Sequence, residues 1–224
     1  MSMIGGWLAT TRSLLEVLYF CSGIVIAYAA VRALTQIRIG SEQLRMTRDI
    51  ANLSAKRESI KLASEQCRYY AERAIPLAVP LVAEYTRLKL TFLSGQPKFT
   101  IRDGEITDTN FDLKLLEKEF LQIILPLQTF LNGLEAFAIP FAAGVADDDL
   151  GFQETAIGFC QQMQAYMPAF FEMRRRKWAR FESAVRLYDA WSKRLKAREL
   201  APVMKTIEEL TKAAEQAKIK PIGD

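Results

Sequence analysis

The stretch RSLLEVLYFCSGIVIAYAAVR, residues 12–32, carries a single charge, Glu16, between Arg12 and Arg32. A helix over residues 13–31 would rise about 28 Å, close to the thickness of the hydrocarbon core of a bilayer. Ala27-Tyr28-Ala29 offers a signal-peptide cleavage pattern, but the apolar run exceeds the usual length and few basic residues precede it. The stretch therefore predicts a retained transmembrane helix.

Basic residues give this span an orientation. Arg12 precedes it, whereas four arginines follow it closely: Arg32, Arg38, Arg45 and Arg48. Because cytoplasmic flanks are enriched in Lys and Arg, we expect the amino terminus outside and the following domain in the cytoplasm.

Polar and small residues recur at spacings of three and four within the span, so they share one helical face. This span stripe consists of Glu16, Tyr19, Gly23, Ala27 and Ala30. A carboxyl group is unfavourable against lipid, and small residues allow close helix approach, so one interpretation is that several copies turn the stripe inward. The alternative is a passive anchor whose Glu16 reaches water at the interface.

Composition excludes several classes of site. The 224 residues include 30 basic and 26 acidic side chains, a net charge of +4, and contain no histidine. Catalytic triads and most zinc centres require histidine, and we find no phosphate-loop or nucleophile-elbow motif. Cys21, Cys67 and Cys160 lack metal-site spacing and predict reduced thiols without a disulfide. We expect no enzyme activity, cofactor or metal.

The remaining chain predicts an all-α fold: a transmembrane helix with its flanks at residues 1–38, a cytoplasmic helical bundle at 39–219 and a tail at 220–224. A long helix over 33–75 carries an apolar position every seven residues: Ile39, Met46, Leu53, Ile60, Cys67 and Ala74. Such a repeat maintains a seam for a partner helix. The companion positions are mostly polar, so packing on the bundle competes with oligomerisation.

An insertion at residues 94–110 interrupts the helices, and Asp103-Gly104 predicts a tight hairpin turn that rests on the bundle or on a neighbouring subunit. A second long helix is predicted from Phe111 to about 145. Its apolar run, Phe120 to Val145, should be buried in the bundle, and the alternative is a second membrane span. Asp147 to Asp149 would cap the next helix, over 149–196, and make only a weak metal site. That helix should bury Trp178, Phe181, Val185, Tyr188 and Leu195. A last helix, broken from it near Pro202, should end near Lys218.

A basic cluster lies within the third helix: Arg174, Arg175, Arg176, Lys177 and Arg180. Beside Trp178, these cations could hold a nucleotide or short oligonucleotide by charge and stacking. The competing interpretation is a solvated face that pairs with local carboxylates, such as Glu172 and Glu182.

With its single amino-terminal span and the stretch over residues 130–195, the chain resembles a bacterial family of unknown function, in which one membrane helix precedes a cytoplasmic helical domain; the similarity covers about two-thirds of the chain. The resemblance lies in three soft motifs, L-N-x-x-E, G-[VI]-x-D-x-x-L and W-x-x-R-L, formed here by Leu131, Asn132 and Glu135; by Gly144, Val145, Asp147 and Leu150; and by Trp191, Arg194 and Leu195. These residues look structural.

In build, the chain is also similar to membrane effectors of nucleotide-signalling anti-phage systems, of the Hailong type. This architectural resemblance implies a non-enzymatic, homo-oligomeric ion channel in the bacterial inner membrane. Its ligand would be a nucleotide or oligonucleotide made by a nucleotidyltransferase of the same system. The alternative is a membrane-tethered scaffold that docks a protein partner.

Overall fold

The computed structural model describes residues 3–94, 97–107 and 109–216, and the helical prediction is confirmed for them. Helix α1 spans Met3–Tyr69. A π-helical turn at Tyr70–Ala74 and a 3-10 turn at Ile75–Leu77 lead into α2, Ala78–Arg87. The predicted tail, residues 220–224, lies outside the described residues.

The chain divides into two compact units, one ending at Ala55 and the other beginning at Lys56. The second unit therefore starts later than the predicted bundle boundary at residue 39. The first unit consists of helical backbone in its described part.

The insertion forms the predicted hairpin. Strands β1, Thr100–Arg102, and β2, Glu105–Thr107, pair antiparallel with Ile101 opposite Ile106. Asp103 and Gly104 both have positive φ, 50° and 77°, as a two-residue primed turn requires. Ile106 is buried and the Phe99 ring lies 5.8 Å from the Tyr188 ring, so the hairpin rests on its own bundle.

The predicted single helix from Phe111 to about 145 is wrong. It is divided into α3, Leu113–Phe120, and α4, Ile124–Ala142, by a 3-10 turn at Leu121–Ile123. Pro126 supplies the reason, because it lacks an N–H and its ring clashes with the carbonyl four residues earlier. One face of α4 is buried, as predicted, and α4 packs against α2, α5 and α6.

The predicted helix over 149–196 is also wrong. Helix α5 spans Asp148–Arg175 and α6 spans Glu182–Gln216, with a break between them. Lys177 and Phe181 have positive φ there, 60° and 49°. The N–H of Trp178 donates to the carbonyl of Met173 at 3.0 Å, so the last turn of α5 closes on itself.

Two smaller predictions fail with it. Trp178 is 50% exposed and is not a core residue, whereas Phe181, Val185 and Tyr188 are buried as predicted and Leu195 is half-buried. Helix α6 also continues through Pro202. Loss of one intrahelical hydrogen bond at this exposed position does not end the helix.

The core centres on Trp191, which is 1% exposed. Its indole lies within 6.1 Å, between ring centroids, of four phenylalanine rings: Phe137, Phe141, Phe152 and Phe159. The indole N–H donates to Asp148 Oδ1 at 2.8 Å, so the buried ring keeps its polar atom paired. This core joins α4, α5 and α6.

Candidate functional site

The predicted span is helical and uncovered in the monomer. Every described side chain from Cys21 to Ile39 is exposed, with Ile24 at 70% and Ile26 at 68%. Among the described residues, two helical runs are long and apolar enough to cross a membrane. The apolar stretch in α1 has none of its residues buried, whereas that within Leu113–Ala142 is 44% buried.

The span stripe lies along one side of α1, with all five of its residues exposed. Tyr19 is 76% exposed, and a Cβ added at Gly23 would meet nothing within 4 Å. The structure thus leaves the stripe open to a neighbouring helix or to lipid.

The seven-residue repeat runs from α1 into the π-helical turn, and the exposure of its side chains falls along the way. Ile39, Met46 and Leu53 are 50%, 64% and 60% exposed, Ile60 is 41% exposed, and Ala74 is fully buried in the bundle. Packing on the bundle therefore accounts for the carboxyl-terminal end of the repeat and leaves its amino-terminal part uncovered.

The basic cluster surrounds a buried acid. Glu172 is 0% exposed and accepts hydrogen bonds from Arg175 Nε at 2.7 Å and from Arg176 Nε. Burial would raise the pKa of Glu172, but the two guanidinium groups outweigh it and hold that pKa below its ordinary value. Glu172 is therefore ionised at neutral pH, and it neutralises part of the cluster.

Three further carboxylates pair with the cluster, and one of them, Glu117, lies 3.8 and 3.9 Å from side-chain nitrogens of Arg175 and Arg176. Arg174 donates to Glu105 Oε1 of the hairpin at 2.8 Å, and Arg180 donates to Glu182 at 3.2 Å. Among the described residues, Lys177 is the member without an ion pair. The pairs with Glu172 and Glu182 are the local pairs of the competing interpretation, but Glu172 is buried rather than solvated, and the contact of Arg174 with the hairpin was not predicted. Arg174 Nη1 and Arg176 Nη2 are buried without a hydrogen-bond partner.

The acidic residues of the soft motifs cap the amino-terminal ends of helices. Glu135 accepts hydrogen bonds from the N–H groups of Ser183 and Ala184 at 3.1 and 2.8 Å, in the first turn of α6. Asp147 accepts from the N–H of Leu150 at 2.9 Å and caps α5, as predicted. Gly144 has φ 69°, a conformation that suits glycine at the end of α4.

The other residues of the soft motifs differ in burial and in contacts. Leu131 is fully buried, Asn132 and Val145 are exposed, and Leu195 is half-buried. Arg194 pairs with Asp148 and Asp149 at 2.9 and 2.5 Å. These aspartates are therefore engaged in protein contacts. Within the part of the chain that the structure describes, no three acidic or cysteine side chains are grouped to hold a metal ion.

An open groove was missed by the sequence predictions. It has a volume of about 1030 Å³ and lies between α5, α6 and the start of the insertion. Three cations line it: Lys98, Lys196 and Arg198. These residues are far apart in sequence. Gln164 Nε2 of α5 donates to the carbonyl of Pro97 at 2.9 Å, and the Phe99 ring contacts Tyr188 of α6, so the insertion places Lys98 beside the groove. No local pattern could have found this site.

Two titratable groups in the groove are neutral at physiological pH. Burial raises the pKa of the Cys160 thiol to about 12. Burial, with smaller contributions from Cys160 and Asp189, raises the pKa of Tyr188 to about 12, and the Tyr188 hydroxyl donates to Gln164 Oε1. A protonated thiol is a poor nucleophile, so this lining favours binding over covalent chemistry.

Comparisons with protein-family models, with curated proteins and with solved structures each found no match.

Proposed function

We propose that this protein is a non-enzymatic membrane effector that self-associates through α1 and forms an ion path along the span stripe. The observation that carries the proposal is the uncharged stretch of α1 between Glu16 and Arg32, in which every side chain that the structure describes is exposed. Transferring an aliphatic side chain out of water is favourable by roughly 1.5–3 kcal/mol. A stretch of this length is stable when a bilayer covers it.

The basic flank supports one direction of insertion. Arg32 and Arg38 follow the apolar stretch, as expected for a cytoplasmic carboxyl side. The second unit, with its soluble core around Trp191, would then face the cytoplasm of a bacterium.

The polar face of the span stripe is the reason to propose self-association. An isolated helix would present the polar face of the stripe to lipid, which is unfavourable. Several copies can instead turn this face inward, and Gly23 and Ala27 leave room for close approach. Beyond the membrane, the exposed seam at Ile39, Met46 and Leu53 continues as a second helix-pairing surface.

In its fuller form, the proposal places the effector in anti-phage defence, under an anionic nucleotide signal from a nucleotidyltransferase partner. Architectural resemblance supports this extension. Its test is plaque formation on cells that carry the native gene neighbourhood, with wild-type protein or with the Gly23→Leu/Ala27→Leu variant. Protection that the variant loses supports the extension, and equal plaque numbers contradict it.

The membrane potential tests the channel directly. Induction of the wild-type chain in phage-infected cells that carry the native gene neighbourhood, where the proposed signal would be made, should depolarise them, and Glu16→Leu and Gly23→Leu/Ala27→Leu should not, at equal membrane levels. Ile24→Leu/Val25→Leu, which keeps an apolar surface outside the stripe, is the matched control and should depolarise like wild type. If the wild type leaves the potential unchanged, or if the stripe variants match it, the ion path is contradicted.

A second candidate function is a membrane-tethered scaffold. An apolar surface on the second unit favours it: Val79 and Val82 of α2 are 68% and 51% exposed, and Leu125 of α4 is 75% exposed. Pro80 and Leu125 line one shallow groove of about 460 Å³. A scaffold predicts that stripe substitutions have no effect, whereas Leu125→Glu abolishes capture of a protein partner.

A further inference from the structure

We infer that the groove between α5, α6 and Pro97-Lys98 binds a small organic phosphate that carries a heterocyclic ring, of the size of a nucleoside monophosphate. This inference deepens the proposed function, because it supplies a place for the anionic ligand. It relocates that ligand from the basic cluster at residues 174–180 to a different face of α5 and α6.

The cationic side chains of the groove are the first reason to expect an anionic ligand. Lys98, Lys196 and Arg198 line the groove, all are exposed, and none forms an ion pair among the described residues. The groove also contains one carboxylate, Glu199. In contrast, Arg174, Arg175 and Arg176 have carboxylate partners within 3 Å. An incoming phosphate meets uncompensated charge in the groove, whereas at the cluster it competes with Glu172 and Glu105.

The apolar side chains that line the groove are the reason to expect an organic body on the ligand. Between the cations the groove is lined by accessible apolar side chains, with Ile157 65% exposed, Ala165 exposed and Leu195 half-buried, whereas Cys160 and Tyr188 are each only 8% exposed. A bare phosphate would leave this apolar surface wet, so the complementary ligand has an apolar or aromatic body attached to its anion.

The amides select a ring with polar edges. Gln164 is occupied on both ends of its amide by Pro97 and Tyr188, so it shapes the wall. Gln161 lies on the same face of α5, is exposed, and makes no hydrogen bond among the described residues. Its donor and acceptor can pair with the edge of a nucleobase, which a hydrocarbon chain cannot offer.

The experiment measures binding of adenosine 5′-monophosphate to the full chain in detergent micelles by isothermal titration calorimetry. Adenosine and inorganic phosphate are titrated as the two halves of the probe. We expect saturable binding of the monophosphate, with each half at least about tenfold weaker, since both the cations and the walls contribute.

Three variants locate the site. Lys196→Ala/Arg198→Ala should weaken binding about tenfold or more, because it removes two charges that would contact the phosphate. Ala165→Trp fills the groove without changing charge and should abolish binding. Lys177→Ala/Arg180→Ala removes the same two-cation charge from the basic cluster and should leave affinity within about twofold. Circular dichroism checks that each variant is folded.

Three outcomes overturn the inference: no saturable binding by the wild type, undiminished binding by Ala165→Trp, or a larger loss in Lys177→Ala/Arg180→Ala than in Lys196→Ala/Arg198→Ala. The last would return the anion site to the cluster. The assay is independent of conductance, so failure here leaves the membrane-potential result standing, and an intact groove with no depolarisation contradicts the ion path alone.

Discussion

Glu135, in the middle of α4, caps α6 by accepting a hydrogen bond from the backbone N–H of Ala184 at 2.8 Å. It also accepts one from Ser183. The acceptor lies 49 residues before Ala184 in the sequence, so the start of α6 depends on tertiary structure. We predict that Glu135→Ala lowers the free energy of unfolding by about 1–2 kcal/mol, because two N–H groups lose their acceptor.

Glu135→Gln is the control for this cap, since it keeps an oxygen acceptor and removes the charge that favours a helix amino terminus. It should cost less than Glu135→Ala. Urea unfolding of the full chain in detergent, followed by circular dichroism, measures both. Equal stability of wild type and Glu135→Ala would refute the capping role.

Acid should weaken the end of α5 through Glu172. A carboxyl group whose folded pKa is depressed stabilises the fold above its unfolded pKa, near 4.5, and that stabilisation is lost as pH falls through the folded value. Glu172→Gln should therefore lower the free energy of unfolding by about 1–3 kcal/mol at pH 7, and the difference from wild type should shrink below about pH 4.5.

The measurement for Glu172 is the thermal midpoint of unfolding of the wild type and of Glu172→Gln, determined at several pH values between about 3 and 8. Glu182→Gln removes an exposed partner of Arg180 and should follow the wild-type profile. A difference between wild type and Glu172→Gln that is the same at all pH values would show that the charge of Glu172 is unimportant.

Two glycines of α5 should respond in opposite ways to the same substitution. A Cβ at Gly151 would lie 2.3 Å from Cε1 of Phe141, a ring held by Phe137 and Trp191. Gly151→Ala should cost about 1–3 kcal/mol by overpacking. At Gly158 the nearest atom is the Tyr70 hydroxyl at 3.4 Å, an ordinary contact.

Gly158→Ala should leave stability unchanged or raise it by up to about 1 kcal/mol, because alanine favours helix. Denaturation midpoints of the two variants test the pair. Similar losses in both would mean that close packing against Phe141 does not explain the glycine at 151.

Local patterns predicted the elements whose causes are local. Asp103-Gly104 supplied the positive-φ residues of the hairpin, and Asp147 supplied the cap of α5. The break after α5 was missed because Lys177 and Phe181 adopt positive φ, which their residue types do not suggest. It is stabilised by Glu135 on another helix.

The candidate site residues also divide into those that local sequence patterns predict and those that depend on tertiary packing. Periodicity alone defined the span stripe, since its residues share one helix. Composition identified the basic cluster but could not reveal that Glu172 is buried beneath it. The groove joins Lys98 with Lys196 and Arg198, and only the packing of the insertion on α5 brings these residues to one place.

Self-association along the span stripe is the central claim, and disulfide crosslinking in membranes tests it most directly. Single cysteines would be placed at Gly23, Ala27 and Val25 in a chain with Cys21→Ser, Cys67→Ser and Cys160→Ala. Gly23 has open space for the new side chain, and Val25, 65% exposed, lies on the opposite face of α1. We expect oxidised dimers from Gly23→Cys and Ala27→Cys and monomers from Val25→Cys; equal crosslinking at all three positions, or none at any, would contradict self-association along the stripe.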